Sequence, residues 1–334
     1  MATTSQAALT SGLLLRCQQQ RSLLPPPAAA AAATRCRPCA APAPWRPLPR
    51  RFPPPPASST GFHQSLLTAT ERRGEPTEPL PALAVREAEA DAELEAAAWL
   101  RALSFYRYPE ERKFAAQVHR TMVAEEEVKA LKAARMARRL GDDANTGERT
   151  TCLVALCPVA ALQAAEGEPL DEQLVVQGGG GSNGSGAGTL AAGGMRERAA
   201  AAALAAAEAA GEPLAVMGTL DLYAARAMPG EVLIGDSRNA AYLANVCTAP
   251  PARRRGVGNA LLAAARELAA AWGVDALYVH TMAVNEIAVR FYEHAGFVVE
   301  KEETSNQAHY RGRCLDGIEG RGRTVLLRDT RLLG

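Results

Sequence analysis

From Tyr242 to Gly296 the chain alternates in a way that few folds can absorb. Tyr242–Thr248 is a short apolar run with strand character, and Pro250–Gly258 is a basic loop punctuated by glycine. Asn259–Trp272 follows as an amphipathic helix. Leu261, Leu262, Ala265, Leu268, Ala269 and Trp272 form one stripe, and Gly273 stops it. Ala276–Met282 is a second strand. Asn285 can then cap a helix whose inward face is Ile287, Ala288, Phe291, Tyr292 and Ala295, ended by Gly296. A helix with a single apolar stripe set between strands has to lay that stripe on a sheet.

The rest of the chain extends the pattern. Leu80–Arg86, Thr151–Leu156, Leu214–Tyr223, Phe297–Val299 and Thr324–Arg328 read as strands. Asp91 to about Tyr106 reads as a helix with Leu94, Ala98 and Trp99 on one face. Phe114–Leu140 reads as a longer charged helix closed by Gly141. The order β-α-α-β-β-β-α-β-α-β-β predicts an α/β protein with a mixed sheet and helices on both faces. The strands at 151 and 214 pair as an interrupted hairpin. Between them, residues 164–212 are rich in Gly, Ser and Ala. They carry too little bulky apolar surface to offset the entropy of ordering, so they are expected to be a flexible insertion.

Charge separates the first seventy residues from the remainder. Residues 1–70 hold seven Arg, no Lys and no carboxylate, against 37 basic and 36 acidic side chains in the whole chain. The remainder is therefore mildly acidic, at −6. Proline runs at 25–27 and 53–56 forbid regular structure in this leader. An Arg-containing, acid-free leader has the composition of an organelle transit peptide, plastid rather than mitochondrial because the prolines spoil an amphipathic helix. A tail without an address is the alternative. An acidic body speaks against a nucleic-acid binder, which needs net basic surface to displace counterions. No run of 18 apolar residues occurs, so no membrane span is expected. Of seven Cys, three lie in the leader, and the four scattered ones in the body fit reduced thiols. Cys36-x-x-Cys39 in the leader has a metal-like spacing but no second pair and reads as chance, and no other Cys/His cluster exists, so no metal is implied.

The informative run is Arg253-Arg254-Arg255-Gly256-Val257-Gly258, between a strand and a helix. Glycines there let backbone N–H groups approach an anion closely, and the helix adds its positive N-terminus. Such a loop can cradle a diphosphate. A Walker-type loop would need Gly-Lys-Ser/Thr, which is missing. A dinucleotide fingerprint would need a third Gly where Leu261 stands, and an acid ending the next strand, whereas Asp275 precedes it. The third reading is R-x-x-G-x-G, the acyl-CoA loop of the GNAT acetyltransferases. An Arg-rich surface turn is its bland counterpart.

Context favours the third reading. Asn285-x-x-Ala288-x-x-x-Tyr292-x-x-x-Gly296-Phe297 begins 27 residues after Gly258 and is similar to the second GNAT motif. The stretches AYLANVCTAPPARRRGVGNALL and ALYVHTMAVNEIAVRFYEHAGF, with GTLDLY from Gly218 and AAWLRALSFY from Ala97, resemble plastid GNAT enzymes that acetylate protein N-termini and lysines. The likeness spans about residues 80–330, which it makes one GNAT domain. It implies a central mixed twisted sheet whose strands splay at an acetyl-CoA site. It also implies acetyl-CoA as co-substrate and polypeptide amines as acceptors. Val246, Cys247 and Thr248 would offer backbone to the acetyl carbonyl and pantetheine arm. Arg253, Arg254, Arg255, Gly256, Val257, Gly258 and Asn259 would hold the diphosphate. Asn285 would fix the arm, and Tyr292 would also meet the cofactor, protonating the departing thiolate.

Two readings stand for each catalytic candidate. Tyr292 is either the general acid, a role a phenol of pKa about 10 can fill, or a core tyrosine with a satisfied hydroxyl. His280 is either the proton-relaying base that the resemblance implies or a core histidine. At pH 7 neutralising a lysine amine of pKa about 10.4 costs about 4.6 kcal/mol, against about 1.4 for an α-amine near 8. One histidine therefore suits N-termini better than lysines. The alternatives are a small-molecule amine acetyltransferase and a non-catalytic acyl-CoA-binding regulator. His294 and His309 read as surface residues, and Glu300–Glu303 as a solvated strand end. The motifs are silent on oligomeric state.

Overall fold

In the computed structural model, residues 79–80, 82–105, 113–141, 149–162, 169–177, 195–225, 239–310 and 323–333 are described. The leader, most of the Gly/Ser tract and the segments 106–112 and 311–322 lie outside them. The strands are β1 (Ala84–Glu87), β2 (Arg149–Pro158), β3 (Val175–Val176), β4 (Leu214–Ala225), β5 (Ala240–Thr248), β6 (Ala276–Met282), β7 (Phe297–Glu302) and β8 (Thr324–Asp329). The helices are α1 (Asp91–Phe105), α2 (Lys113–Leu140), α3 (Val159–Leu162), α4 (Met195–Ala209), α5 (Val257–Ala271), α6 (Glu286–His294) and α7 (Ser305–Tyr310).

The strands form one sheet in the order β1-β2-β4-β5-β6-β8-β7, with β3 paired to β4. β5 and β6 run parallel and the other pairs antiparallel, so the sheet is mixed as expected. Successive strand residues point to opposite faces, and β4 shows which helix covers which. Gly218 faces α5, because a Cβ there would lie 2.6 Å from Val257 Cγ1. Thr219 faces α1, whose Arg101 donates to its hydroxyl at 3.1 Å. Helices therefore sandwich the centre of the sheet. The core between them includes Leu153, Leu156, Leu220, Leu222, Leu243, Leu261 and Leu262, all fully buried.

The glycine stops lie where the sequence places them. Gly141, Gly273 and Gly296 take φ of +73°, +70° and +97°, the left-handed region in which glycine ends a helix without strain. α2 packs on α1 through Lys132 and Arg135 bridging to Asp91, and on β1 and β2 through Arg138, which meets Glu87, Glu89 and Thr151.

Three expectations need correction. The stretch 164–212 is not simply a flexible insertion. Glu172–Leu174 forms a helical turn, β3 joins the sheet, and α4 seats Leu204 (1% exposed) while Glu208 pairs with Arg86. Alanine has the best intrinsic helix propensity, and α4 buries Ala207 beside Leu204. Ile287 is not inward-facing: it is 70% exposed, whereas Tyr292 and Ala295 are buried. Glu303 is not solvated. It is buried and accepts the Thr324 N–H at 2.9 Å, and Glu300 bridges to Arg328.

Candidate active site

β5 and β6 stay paired only from Ala240↔Ala276 to Leu243↔Val279. Beyond that point β5 parts from β6 and continues to Thr248, while β6 goes on pairing with β8. A bulge accompanies the parting. The register with β4 passes from Asp221↔Ala244 to Thr219↔Cys247, so Asn245 and Val246 stand opposite Leu220 alone. Two residues opposing one bend the strand and leave part of its backbone outside the ladder. Asn245 takes φ +54° at this place. The parting leaves the backbone of Val246, Cys247 and Thr248 without a partner on β6.

At the far end of β5 the chain makes a helical turn, Pro250–Ala252, and enters the arginine–glycine loop. Arg254 and Gly256 take φ of +64° and +87°, and Gly256 caps α5 with no side chain bonded to the first turn. Arg253, Arg254 and Asn259 are exposed and Val257 is buried. Arg255 departs from the diphosphate role. Its side chain is buried, and its charge opposes the upward push of burial on Cys157, whose thiol sits at about 11. Its backbone is engaged too: the N–H donates to Ala252 O at 3.4 Å and the carbonyl accepts the Leu80 N–H at 3.4 Å. Gly258 sits tight against α6: a Cβ there would meet Phe291 Cζ at 2.9 Å, so that ring would have to shift. The aromatic ring of α6 therefore rests on the first turn of α5, linking the loop to the helix that carries Tyr292.

Tyr292 is 5% exposed and packs against Phe291 and Phe297, with ring centroids 5.1 and 5.5 Å away. Burial pushes its hydroxyl pKa well above the ordinary range, and nearby Tyr242 and Cys247 push it further. The phenol therefore carries its proton at neutral pH. Cys247 is pushed up to about 12, chiefly by burial. A buried neutral thiol is a poor nucleophile. Asn285 caps α6 with its carbonyl oxygen, which accepts the Ala288 N–H at 3.2 Å. Only its amide NH₂ is left for a ligand.

His280 lies on β6 just past its last pairing with β5, half-buried. Its Nδ1 is 2.9 Å from the Tyr242 hydroxyl, which also accepts the His280 backbone N–H at 3.2 Å. Tyr242 thus holds the ring through Nδ1. Sequence reasoning missed this tyrosine. It sits 38 positions away, and only the parallel pairing of β5 with β6 brings the two together. His294 is exposed and bonds its own helix through Arg290 O. The side chain of His309 lies outside the described residues. Among the described residues no group of three or more His, Cys, Asp or Glu could hold a metal ion, and no helix is long and apolar enough to cross a membrane.

Comparison with known proteins bears on this arrangement. The model of the acetyltransferase (GNAT) family matches residues 189–297. GCN5-related N-acetyltransferase 7, chloroplastic, of Arabidopsis thaliana is 38% identical over 108 residues, covering 30% of this chain and 39% of that protein. GCN5-related N-acetyltransferase 6, chloroplastic, of the same plant is 33% identical over 99 residues, covering 25% of this chain and 34% of that protein. The chain thus spans well under half the length of these relatives. A solved acetyltransferase of the GNAT family from Streptococcus pneumoniae is 15% identical with a TM-score of 0.38, covering 74% of this chain and 98% of that one. That likeness is too distant to speak to function. The family match takes in the loop, the parting strands and the tyrosine helix, so residues 189–297 are similar to the acetyltransferase (GNAT) family.

Proposed function

We propose that this chain transfers an acetyl group from acetyl-CoA to the α-amine of polypeptide N-termini, with lysine ε-amines as weaker acceptors. The observation that carries the reading is the parting of β5 from β6 beside a buried, protonated Tyr292. The co-substrate supplies an activated acetyl thioester, and the residues at hand fit it. The first turn of α5 presents the backbone N–H groups of Gly256 to Asn259 to the diphosphate, those of Arg253 and Arg255 donating instead to Pro250 and Ala252, with the Arg253 and Arg254 side chains reaching outlying charge. Backbone of Val246, Cys247 and Thr248 lines the thioester arm, and the Asn285 amide meets it from α6.

The amine attacks the acetyl carbon directly, forming the C–N bond as the C–S bond breaks. His280, held by Tyr242, takes the proton leaving the amine. Tyr292 gives its proton to the departing sulfur. Cys247 stays out of the covalent chemistry because its thiol is neutral and buried. The α-amine preference rests on proton energetics: a single histidine meets the smaller deprotonation cost of an N-terminus more readily than that of a lysine. The names of the two Arabidopsis relatives and the composition of the leader together support a plastid location.

Peptides with either a free α-amine or only an internal lysine, incubated with acetyl-CoA and read by mass spectrometry, test the reading. N-terminal acetylation is expected to be faster at neutral pH. Equal or faster lysine turnover would overturn the preference. Calorimetry that detects no heat with coenzyme A would overturn the function.

A further inference from the structure

The bulge in β5 is held by a buried ionic cluster that the chemistry above leaves unused. Asn245 adopts φ +54°, a conformation that disfavours residues with a Cβ, inside a strand rather than in a loop. Its side-chain amide donates to Asp221 Oδ2 at 2.7 Å. The other oxygen of Asp221 accepts from Arg101 at 2.6 Å. Arg101 is 1% exposed and also donates to Thr219 at 3.1 Å and to Glu127 of α2 at 3.3 Å. The amide oxygen of Asn245 is buried and makes no hydrogen bond among the described residues. Asp221 is therefore the group that fixes this side chain, and Arg101 is a group that fixes Asp221.

Buried ion pairs are poor sources of stability, because desolvation offsets most of their attraction. What this cluster does supply is direction. It ties α1, α2, β4 and β5 together at the residue where β5 turns away from β6. Val246, the next residue, begins the backbone run that faces the thioester in the reading above.

We propose that Arg101, Asp221 and Asn245 are positioning residues: their linked side chains lock the left-handed bulge and so aim the backbone of Val246–Thr248 at the acetyl thioester. The proposal rests on the acetyl-transfer reading. It makes no demand on the diphosphate loop, which lies beyond the other end of Thr248 and is built from glycine geometry. The two ends of the cleft should therefore respond separately to substitution.

Asn245→Gly is the cleanest probe, since glycine keeps the left-handed backbone without strain and removes only the amide link. The variant is expected to lower kcat for acetyl-CoA by roughly tenfold to a hundredfold, the scale of misplacing a reacting group by about an ångström. Its affinity for CoA, which has no acetyl group to aim, should change by less than about threefold on the same scale. Asp221→Asn should show the same split, and Asn245→Asp, which sets two carboxylates against each other, a deeper loss. A purely structural role predicts a lower melting temperature with unchanged kcat per folded molecule. That outcome, or equal losses of kcat and CoA affinity in Asn245→Gly, overturns the proposal. If Asp221→Asn fails to fold, Asn245→Gly alone decides. An unmodified chain that binds no CoA overturns the acetyl-transfer reading itself, and the two failures are thereby distinguished.

Discussion

Asn245 and Arg254 lie nine residues apart and share the same unusual backbone, with φ of +54° and +64°. One sits in the middle of a sheet, the other in an exposed loop. Arg254 is solvated and followed two residues later by Gly256 at +87°, so the loop turns tightly with help from its own neighbours. Asn245 has no glycine beside it, and its amide is anchored to a carboxylate that is itself anchored to a buried guanidinium. A loop can hold a left-handed residue with local means. A strand that must bend inside a packed sheet needs partners brought from elsewhere in the chain.

The largest effect expected from this contrast lies at the sheet end. Arg101→Ala leaves Asp221 and Glu127 without their common cation and should cost about 3–5 kcal/mol of stability, the usual penalty for breaking a buried pair. Urea titration measures it, and a loss below about 1 kcal/mol, the scale of an exposed pair, would mean that the bulge stands without the cluster. Tyr292→Phe comes next. It keeps the ring packing on Phe291 and Phe297 and removes the hydroxyl with its proton, so kcat should fall roughly a hundredfold, near 2.7 kcal/mol in barrier, with acetyl-CoA affinity little changed. Steady-state kinetics alongside calorimetry check this, and unchanged turnover would return Tyr292 to a core role.

A third effect separates the two ends by pH. Cys152, beside Arg101, and Cys247 are both pushed up to about 12, first by burial, from a reference of 9.0. Folding therefore favours the neutral thiols. That contribution is fully present below the unfolded value and is lost as pH climbs from about 9 toward 12, since the unfolded chain releases those protons first. Denaturant midpoints should decline over that window, and a flat profile would show that the thiols are not held neutral. The smallest effect belongs to the loop. Arg254→Gly relieves the left-handed strain by about 1 kcal/mol at most, so the melting temperature should hold or rise slightly. Affinity should weaken for CoA but not for pantetheine, which lacks the diphosphate. Equal weakening for both would remove Arg254 from diphosphate binding.

How much of this was readable beforehand follows the same division. Much of what is written in neighbouring residues was legible: the glycine stops of α2, α5 and α6, the Asn285 cap, the stripe on α5, and the loop between β5 and α5, though not the alanine-rich helix α4. A further local signal was there to be read. Thr304 and Gln307 exchange hydrogen bonds at 2.8 and 3.3 Å and start α7 with a reciprocal cap, a T-x-x-Q pattern in plain sight. Legibility failed where a residue's role depends on a distant neighbour. Arg255 looked like one of three equal arginines until its side chain proved to be buried. Ile287 fitted the helical period but fell on the solvent side. Nothing near Tyr242 in the chain marks it as the partner of His280.

The sequence by itself determined the alternation of strands and helices, the helix ends, the glycine-built loop and the presence of Tyr292 on the helix after β6. These follow from propensities and periodicities that act over a few residues. Only the tertiary structure decided where β5 leaves β6, which arginine turns inward, and which side chains lock the bend. Those outcomes turn on burial and on charges 24 to 120 positions apart in the chain, such as Asn245 with Asp221 and Arg101 with Asp221. Solvent exclusion and pairing at that range exist only once the sheet has closed around them.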